Sequence, residues 1–304
     1  MKQLLRTVGI TRIADLTSLD RAGVRVACAI RPGGHVLQVT NGKGEHAELA
    51  AAAEGAELWA AEQVESERWV FIDGVAYVAA TRLDAKGELW VPASAVWCPP
   101  APAPAMGRPA ARWTSNGLGA HASRERALLH GLLEVIERHA LTQTLPHGWT
   151  EEAVHGRCVE HTLEREGFRL RAFDLTPRGC PVPVAGALLE DLESGPIRLT
   201  AGYAARLDAK AAVQAACEEA FQTRLTEVQG AREDVSLGRG DEVPEWLEHV
   251  VPSARMVNAR PRTVRALAQA LHRPVAYVEL VPDRLPLHVV KVFVEGYRVS
   301  ELLQ

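Results

Sequence analysis

Apolar and polar residues follow two different patterns along the chain. In some segments they alternate, as in β-strands, and in others they recur at the spacing of an amphipathic helix. Short stretches with alternating apolar residues, many of them β-branched, predict strands at 24–30, 35–39, 75–80, 89–92, 169–173, 182–189, 197–204, 275–280 and 288–294. Longer stretches rich in alanine, leucine or glutamate, without proline, predict helices at 46–68, from 124 onward, at 209–229 and at 262–271. Because strands and helices are interleaved, we expect a mixed α/β or α+β fold built in layers.

One proline-rich segment interrupts this pattern. Residues 98–111 read CPPAPAPAMGRPAA, and prolines without a backbone donor hold such a segment extended or turning. We expect a surface loop there, between the two halves of a single domain spanning residues 1–304. A chain of this length is long enough to bury a substantial core.

Composition and charge exclude several classes of protein. A net charge of -4 gives no general electrostatic reason to bind nucleic acid. No apolar run approaches the roughly 18–20 residues of a membrane span, and the first residues lack the features of a secretory signal. The 5 cysteines are scattered without a CxxC, which argues against a disulfide framework and a structural zinc site. We therefore expect a cytoplasmic protein without a membrane or nucleic-acid partner.

The candidate chemistry lies in glutamates that recur on the predicted helices. Glu54 and Glu57 stand three residues apart in AELAAAAEGAELWAAE, and Glu134 and Glu137 repeat that spacing in LLEVIERHA, followed by Arg138. Residues three apart share one helix face, so each pair directs two carboxylates to one place. A third helix offers Glu218 and Gln222 four residues apart, followed by Arg224, in the segment CEEAFQTR.

Two interpretations of these acidic pairs stay open on spacing alone. Such pairs are common on plain solvated helix faces. If the two pairs converge, however, the mutual repulsion of four carboxylates calls for a cation, and Mg²⁺ prefers oxygen ligands and often bridges to phosphates. Other nucleotide or hydrolase signatures are missing from the sequence, since it contains no GxxxxGK[ST], GxSxG or HExxH.

Several segments, taken in order, resemble the YcaO family of ATP-dependent enzymes that modify peptide backbones. The most specific are TSNGLGAHASRERALLHGLLEVIERHAL at 114–141 and the QTRLTEVQGARED stretch that ends at 234. Further matching segments lie at 9–32, 41–62, 173–191 and 285–297, so the resemblance covers almost the whole chain.

The resemblance implies a YcaO-like fold that binds ATP without a P-loop, and it implies roles for individual residues. The two acidic pairs would hold Mg²⁺ ions that bridge the triphosphate. Other nucleotide-binding candidates lie in the polar turn before the second helix, beside its acidic pair and on the third helix; they are Ser115, Asn116, Arg138, Glu218, Gln222 and Arg232. Arg138 and Arg224 are the catalytic candidates, as cations that stabilise the transferring phosphoryl group.

The reaction implied by the resemblance is activation of a peptide amide during maturation of a ribosomally made peptide. After a nucleophile adds to the carbonyl carbon, transfer of the γ-phosphoryl group to the oxygen allows that oxygen to leave as phosphate. A Cys, Ser or Thr side chain of the substrate would give an azoline, external sulfide a thioamide, and an amine an amidine. The resemblance also implies a homodimer.

Departures from the family pattern support an alternative. Ala122 and Arg126 replace an expected asparagine and an expected acid, and the chain carries neither a proline-rich tail nor a fused leader-binding domain. The short form without this tail or fused domain suggests the stand-alone or thioamide-associated branch, with a separate leader-peptide-binding or TfuA-like partner protein. The substitutions at Ala122 and Arg126, together with the short N-terminus, suit instead a catalytically degenerate scaffold subunit that binds peptide or a maturation enzyme.

Overall fold

A computed structural model describes residues 1–193, 195, 197–231 and 243–300 of the chain. Its helices are α1 (Lys2–Val8), α2 (Ala47–Glu62), α3 (Ala93–Val96), α4 (Arg124–Thr144), α5 (Glu151–Val154), α6 (Ala209–Gln229) and α7 (Val264–Ala270). Its strands are β1 (Arg12–Asp15), β2 (Val26–Ile30), β3 (Val39–Lys43), β4 (Val70–Ile72), β5 (Val75–Arg82), β6 (Glu88–Pro92), β7 (Leu118–His121), β8 (Cys158–Arg165), β9 (Phe168–Asp174), β10 (Val184–Asp191), β11 (Leu199–Ala205), β12 (Val275–Leu280) and β13 (His288–Val294). None of the helices in this part of the chain is long and apolar enough to cross a bilayer.

The strands form three antiparallel sheets. The first contains β1, β2 and β3; the second runs in the order β11-β10-β9-β8; and the third runs β4-β5-β12-β13-β7, with β6 paired to β5. Strands of the second and third sheets are covered by helices, and their inward positions are almost fully buried. The expected mixed α+β architecture in layers is therefore confirmed.

The three long helices are linked to one another through shared strands. Helices α2 and α4 both pack on β7 and β13, α4 and α6 both pack on β11, and α2 and α6 both pack on β3. Each helix pair therefore meets at a common strand, which brings the three helices around one region. Alanines at 51, 52, 56, 60 and 61 are fully buried on α2, and these small side chains allow close packing against the sheets.

Helix α4 presents its apolar side to the core. Leu128, Leu132, Val135 and Ile136 are all at most 5% exposed. The helix begins after Ser123, in the expected N-cap position, although the Ser123 side chain makes no capping hydrogen bond. Because this side of α4 is anchored, the glutamates of its other side have a fixed direction.

Some predicted elements differ from the observed ones. The strand expected at 35–39 is found as β3, Val39–Lys43, and the helix expected to continue to residue 68 ends at Glu62. Strands β1, β4, β7 and β8 and the helices α1, α3 and α5 have no counterpart among the sequence predictions. The proline-rich segment 98–111 carries no helix and only one isolated bridge, between Gly107 and Val75.

Candidate functional site: helix-borne carboxylates

Each of the four predicted glutamates accepts a hydrogen bond from a backbone amide of a neighbouring strand or turn. The amide donors lie at Asn41 for Glu54, at Ala120 for Glu57, at Gly117 for Glu134 and at Ala205 for Glu137, with distances of 3.0, 2.7, 2.9 and 3.1 Å respectively. Such bonds fix the direction of a carboxylate without neutralising its charge. A carboxylate has about four acceptor sites, so one tether leaves capacity for a cation.

The two acidic pairs lie close enough to repel each other. Burial raises the pKa of Glu57 well above its usual value, and the charges of Glu134 and Glu54 raise it further. Burial likewise raises the pKa of Glu137 to about 7, with added repulsion from Glu219 and Glu134. The structure therefore places the acidic pairs of α2 and α4 within electrostatic reach of each other.

The third helix contributes Glu219 where the sequence analysis had singled out Glu218. The carboxylate of Glu219 accepts a hydrogen bond of 2.5 Å from Lys43 and acts electrostatically on Glu137. Glu218 instead accepts a hydrogen bond from Gln214 and lies beside Gly44. Gln222 follows Glu219 by three residues and therefore shares its face of α6.

Cations line one side of the acidic cluster. The guanidinium of Arg138 lies 3.4 Å from Glu134 and 3.7 Å from Glu137. Burial lowers the pKa of His130, with Glu134 opposing the shift and Arg206 and other cations adding to it. Negative charge on the helices is therefore partly compensated by the protein, and Arg138 is the cation in closest contact with the second pair.

The polar turn before β7 presents an unsatisfied acceptor to this region. The side-chain oxygen Oδ1 of Asn116 is buried and has no hydrogen-bond partner among the described residues, and the same holds for Asn41. Ser115 precedes Asn116 and is exposed. Buried acceptors without a donor are rare in proteins, and a cation satisfies them.

The structure places Arg224 away from the glutamate pairs of α2 and α4. Arg224 is 5% exposed, and its guanidinium forms ion pairs of 2.5 Å with Asp20 and 2.8 Å with Asp191. It also donates to the carbonyl of Ile197 and lies 4.8 Å from the ring centre of Phe168. The side chain therefore joins α6 to the second sheet, because position 224 faces away from position 219 on the helix. Arg232, the remaining candidate, lies outside the described residues.

The donor set fits magnesium. Carboxylate and amide oxygens are its preferred ligands, and cations would relieve the repulsion that raises the pKa of Glu57 and Glu137. In the described ranges, no group of three or more His, Cys, Asp or Glu side chains is already placed to hold a metal ion. Mg²⁺ is usually bound through one or two carboxylates, and water or phosphate oxygens supply its other ligands.

The chain thus combines acidic pairs on packed helices with an α+β framework of three sheets, and oxygen ligands of this kind suit a divalent cation. Residues 73–298 match the family of YcaO cyclodehydratases, which bind ATP and Mg²⁺. The chain belongs to this YcaO family, and ATP and Mg²⁺ are its cofactors.

The chain is also similar to individual known proteins. An uncharacterised protein of Methanothermobacter thermautotrophicus is 32% identical over 76% of this chain and 69% of its own length. An uncharacterised protein from the 3′ region of tfuA in Rhizobium leguminosarum bv. trifolii is 29% identical over 97% of this chain and 85% of its own. The solved structure of YcaO from Methanopyrus kandleri, bound with AMPPCP and Mg²⁺, shares the fold with a TM-score of 0.71 at 24% identity, over 97% and 88% of the two chains.

Sequence reasoning missed Glu219, Lys43 and the buried Lys291 of β13. Glu219 gave an ambiguous signal, because it stands three residues before Gln222, as in the other two pairs, while the adjacent Glu218 stands four residues before Gln222 on much the same face. Lys291 gave a weaker signal, as a single charge within the otherwise apolar stretch HVVKVFV.

Proposed function

We propose that this protein uses Mg²⁺ and ATP to phosphorylate a backbone amide oxygen of a ribosomally made peptide. The observation that carries the proposal is the facing arrangement of Glu57 and Glu134 on two helices, each held by a backbone amide. Membership of a family of ATP- and Mg²⁺-binding cyclodehydratases supports it. Bound together, ATP and Mg²⁺ would supply the phosphoryl group that turns the amide oxygen into a leaving group.

In this proposal the residues of the chain bind Mg²⁺ and orient the phosphoryl group. Glu54, Glu57, Glu134 and Glu137 are the metal ligands, because their carboxylates are fixed in direction and repel one another without a cation. Arg138 lies against the second pair and stabilises negative charge on the phosphoryl group.

The residues around the acidic cluster bind the parts of the nucleotide that the metal ions do not contact. In the proposed arrangement Ser115, Asn116 and Gln222 border it, and Glu219 replaces Glu218 as the acidic residue of the third helix. The location of Arg224 in a buried ion-pair network argues for a structural role rather than a catalytic one.

The nucleophile decides the product, which is an azoline, a thioamide or an amidine. The relative from the tfuA region favours the thioamide branch, with a separate leader-peptide-binding or TfuA-like protein as the partner. We further propose that the chain acts as a homodimer. Mass spectrometry of a candidate precursor peptide tests the branch, since exchange of one oxygen for sulfur indicates a thioamide, whereas loss of one water indicates ring closure to an azoline or a cyclic amidine.

Calorimetry with AMPPCP and Mg²⁺ tests the proposed site without requiring the peptide substrate. We expect the wild-type chain to bind the nucleotide, and the double variant Glu134→Gln/Glu137→Gln to lose this binding. Glu151→Gln, in an exposed position on α5, is the matched control and should bind as the wild type does. No binding by the wild type at millimolar nucleotide would contradict the proposal and favour the catalytically degenerate scaffold.

Retained activity would also contradict the site assignment. With a peptide that the wild type modifies, the double variant should release no phosphate from ATP. Full turnover by that variant would show that Glu134 and Glu137 are not the metal ligands, even if the family assignment stands.

A further inference from the structure

Lys291 is a buried lysine that neither the family resemblance nor the proposed reaction assigns to a role. It lies in the middle of β13, opposite Leu118 of β7, and is 2% exposed. Its ammonium donates to the carbonyl oxygen of Thr114 and lies 5.1 Å from the ring centre of Trp113. A buried ammonium is costly, so its retention at this position calls for an explanation.

The surroundings of Lys291 include both acidic helices. Burial lowers the pKa of its ammonium to about 7, while Glu134 of α4, Glu57 of α2 and the nearby Cys98 act in the opposite direction. Lys291 is thus near a carboxylate from each of the two pairs, at the place where α2 and α4 pack on the same strand.

The contact with Thr114 restrains the turn that leads into β7. Asn116, with its unsatisfied buried oxygen, follows Thr114 by two residues, and Gly117 follows by three. The amide of Gly117 donates the hydrogen bond that holds Glu134. A group that fixes the carbonyl of residue 114 therefore also fixes the acceptor of residue 116 and the amide that orients Glu134.

We propose that Lys291 is a positioning residue that anchors the turn 113–117 and thereby sets the direction of Glu134 and Asn116 toward the metal and nucleotide. The part of this inference that concerns ligand binding rests on the proposed function. The part that concerns the turn does not, because the contacts with Thr114 and Trp113 are present in the chain alone.

The test compares Lys291→Met, which removes the donor and the charge at similar size, with Lys291→Arg, which keeps both. Lys210→Met, in an exposed position at the start of α6, is the matched control. Hydrogen–deuterium exchange of residues 113–118 is measured without ligand, and the Mg²⁺ concentration for half-maximal AMPPCP binding is measured by calorimetry. Lys291→Gln serves as a second variant if Lys291→Met does not unfold cooperatively.

We expect Lys291→Met to speed exchange in residues 113–118 and to raise the Mg²⁺ requirement by about 10-fold or more, as losses of ligand-orienting groups do. Lys291→Arg should recover part of both effects, and Lys210→Met should show neither. The inference would be overturned if Lys291→Met exchanged at the wild-type rate in residues 113–118 and also required no more Mg²⁺ than the wild type. If the wild type binds no nucleotide, the proposed function fails, and the exchange measurement still decides the role of Lys291.

Discussion

Lys43 and Glu219 form an ion pair of 2.5 Å where strand β3 meets helix α6. Burial by itself would raise the pKa of Glu219, but the attraction and hydrogen bond of Lys43 lower it below its usual value. Glu219 is therefore ionised at neutral pH, next to a Glu137 whose pKa is raised to about 7 partly by that charge. The ion pair places a permanent carboxylate beside the acidic pair of α4.

Replacing Glu219 should weaken metal and nucleotide binding, whereas replacing its neighbour should not. Glu219→Gln removes a carboxylate that faces the cluster and leaves Lys43 without its partner. We expect a loss of about 10-fold or more in affinity for AMPPCP with Mg²⁺, measured by calorimetry. Glu218→Gln is the matched control and should have no measurable effect, because Glu218 contacts Gln214 instead. The reverse result would restore Glu218 as the binding residue.

The stability of the chain without ligand should fall as pH rises through the range in which Glu137 titrates. The pKa of this carboxyl is raised in the fold from 4.5 to about 7, so the folded state holds the proton more tightly than the unfolded state. Its contribution to stability is therefore fully present below about pH 4.5 and is lost as pH rises toward 7, by at most about 3 kcal/mol. Urea unfolding at several pH values measures this, and Glu137→Gln should show a smaller decline. Equal declines in both proteins would contradict the assignment.

Replacing Arg224 should destabilise the fold without changing the affinity for nucleotide. Arg224→Met removes one of two cations from the buried Asp20 and Asp191, which keep Arg21 at 3.9 and 2.6 Å, so the cost should lie at or below the roughly 3–5 kcal/mol of a broken buried pair. Chemical denaturation measures the loss, and calorimetry with AMPPCP measures binding under conditions where the variant is folded. Arg25→Met is the control, because Arg25 pairs with Glu48 on the surface, where such pairs contribute about 1 kcal/mol or less. A large loss of nucleotide affinity in folded Arg224→Met would support the catalytic role instead.

A side chain at Gly117 should disturb both the fold and the site. Gly117 has φ of 84°, and a Cβ atom there would lie 2.3 Å from the carbonyl oxygen of Val292. We expect Gly117→Ala to cost more than the roughly 1–2 kcal/mol of a left-handed backbone alone, and to weaken Mg²⁺-dependent AMPPCP binding by shifting the amide that holds Glu134. Gly87→Ala has a similar backbone restriction but open space, so thermal unfolding should show the smaller loss and binding should be unchanged.

The long helices were predictable because their signal is local. Alanine-rich or leucine-rich composition and the absence of proline mark α2, α4 and α6, and the three-residue spacing of glutamates gives the acidic faces directly. Strand β3 was displaced in the prediction because Gly42 and its neighbours are typical of a turn. In the structure Gly42 belongs to the strand, and a Cβ atom there would lie 2.2 Å from the carbonyl oxygen of Ala47. Close packing of α2 requires this glycine, and packing partners are not visible in a local pattern.

The third helix shows a different limit of sequence reasoning. Glu218 and Glu219 are adjacent, and their directions differ by roughly 100° around the helix axis. Composition gives no means of deciding which of them faces the cluster, since the buried face of α6 depends on two sheets that pack against it. The resemblance placed Arg224 near the nucleotide, whereas its partners Asp20 and Asp191 are distant in sequence and only the fold brings them together.

The amides that hold the four glutamates belong to the main chain, so the hydrogen bonds do not depend on which side chains the donor residues carry. A substitution at Asn41, Ala120 or Ala205 leaves the N–H donor in place wherever the fold accommodates the new side chain, and only proline removes it. The direction of the carboxylates is thus set by the path of the backbone and not by the identity of the donor residues. Neighbouring side chains can diverge while the glutamates stay oriented, so we expect sequence drift around this site to exceed drift at the glutamates themselves.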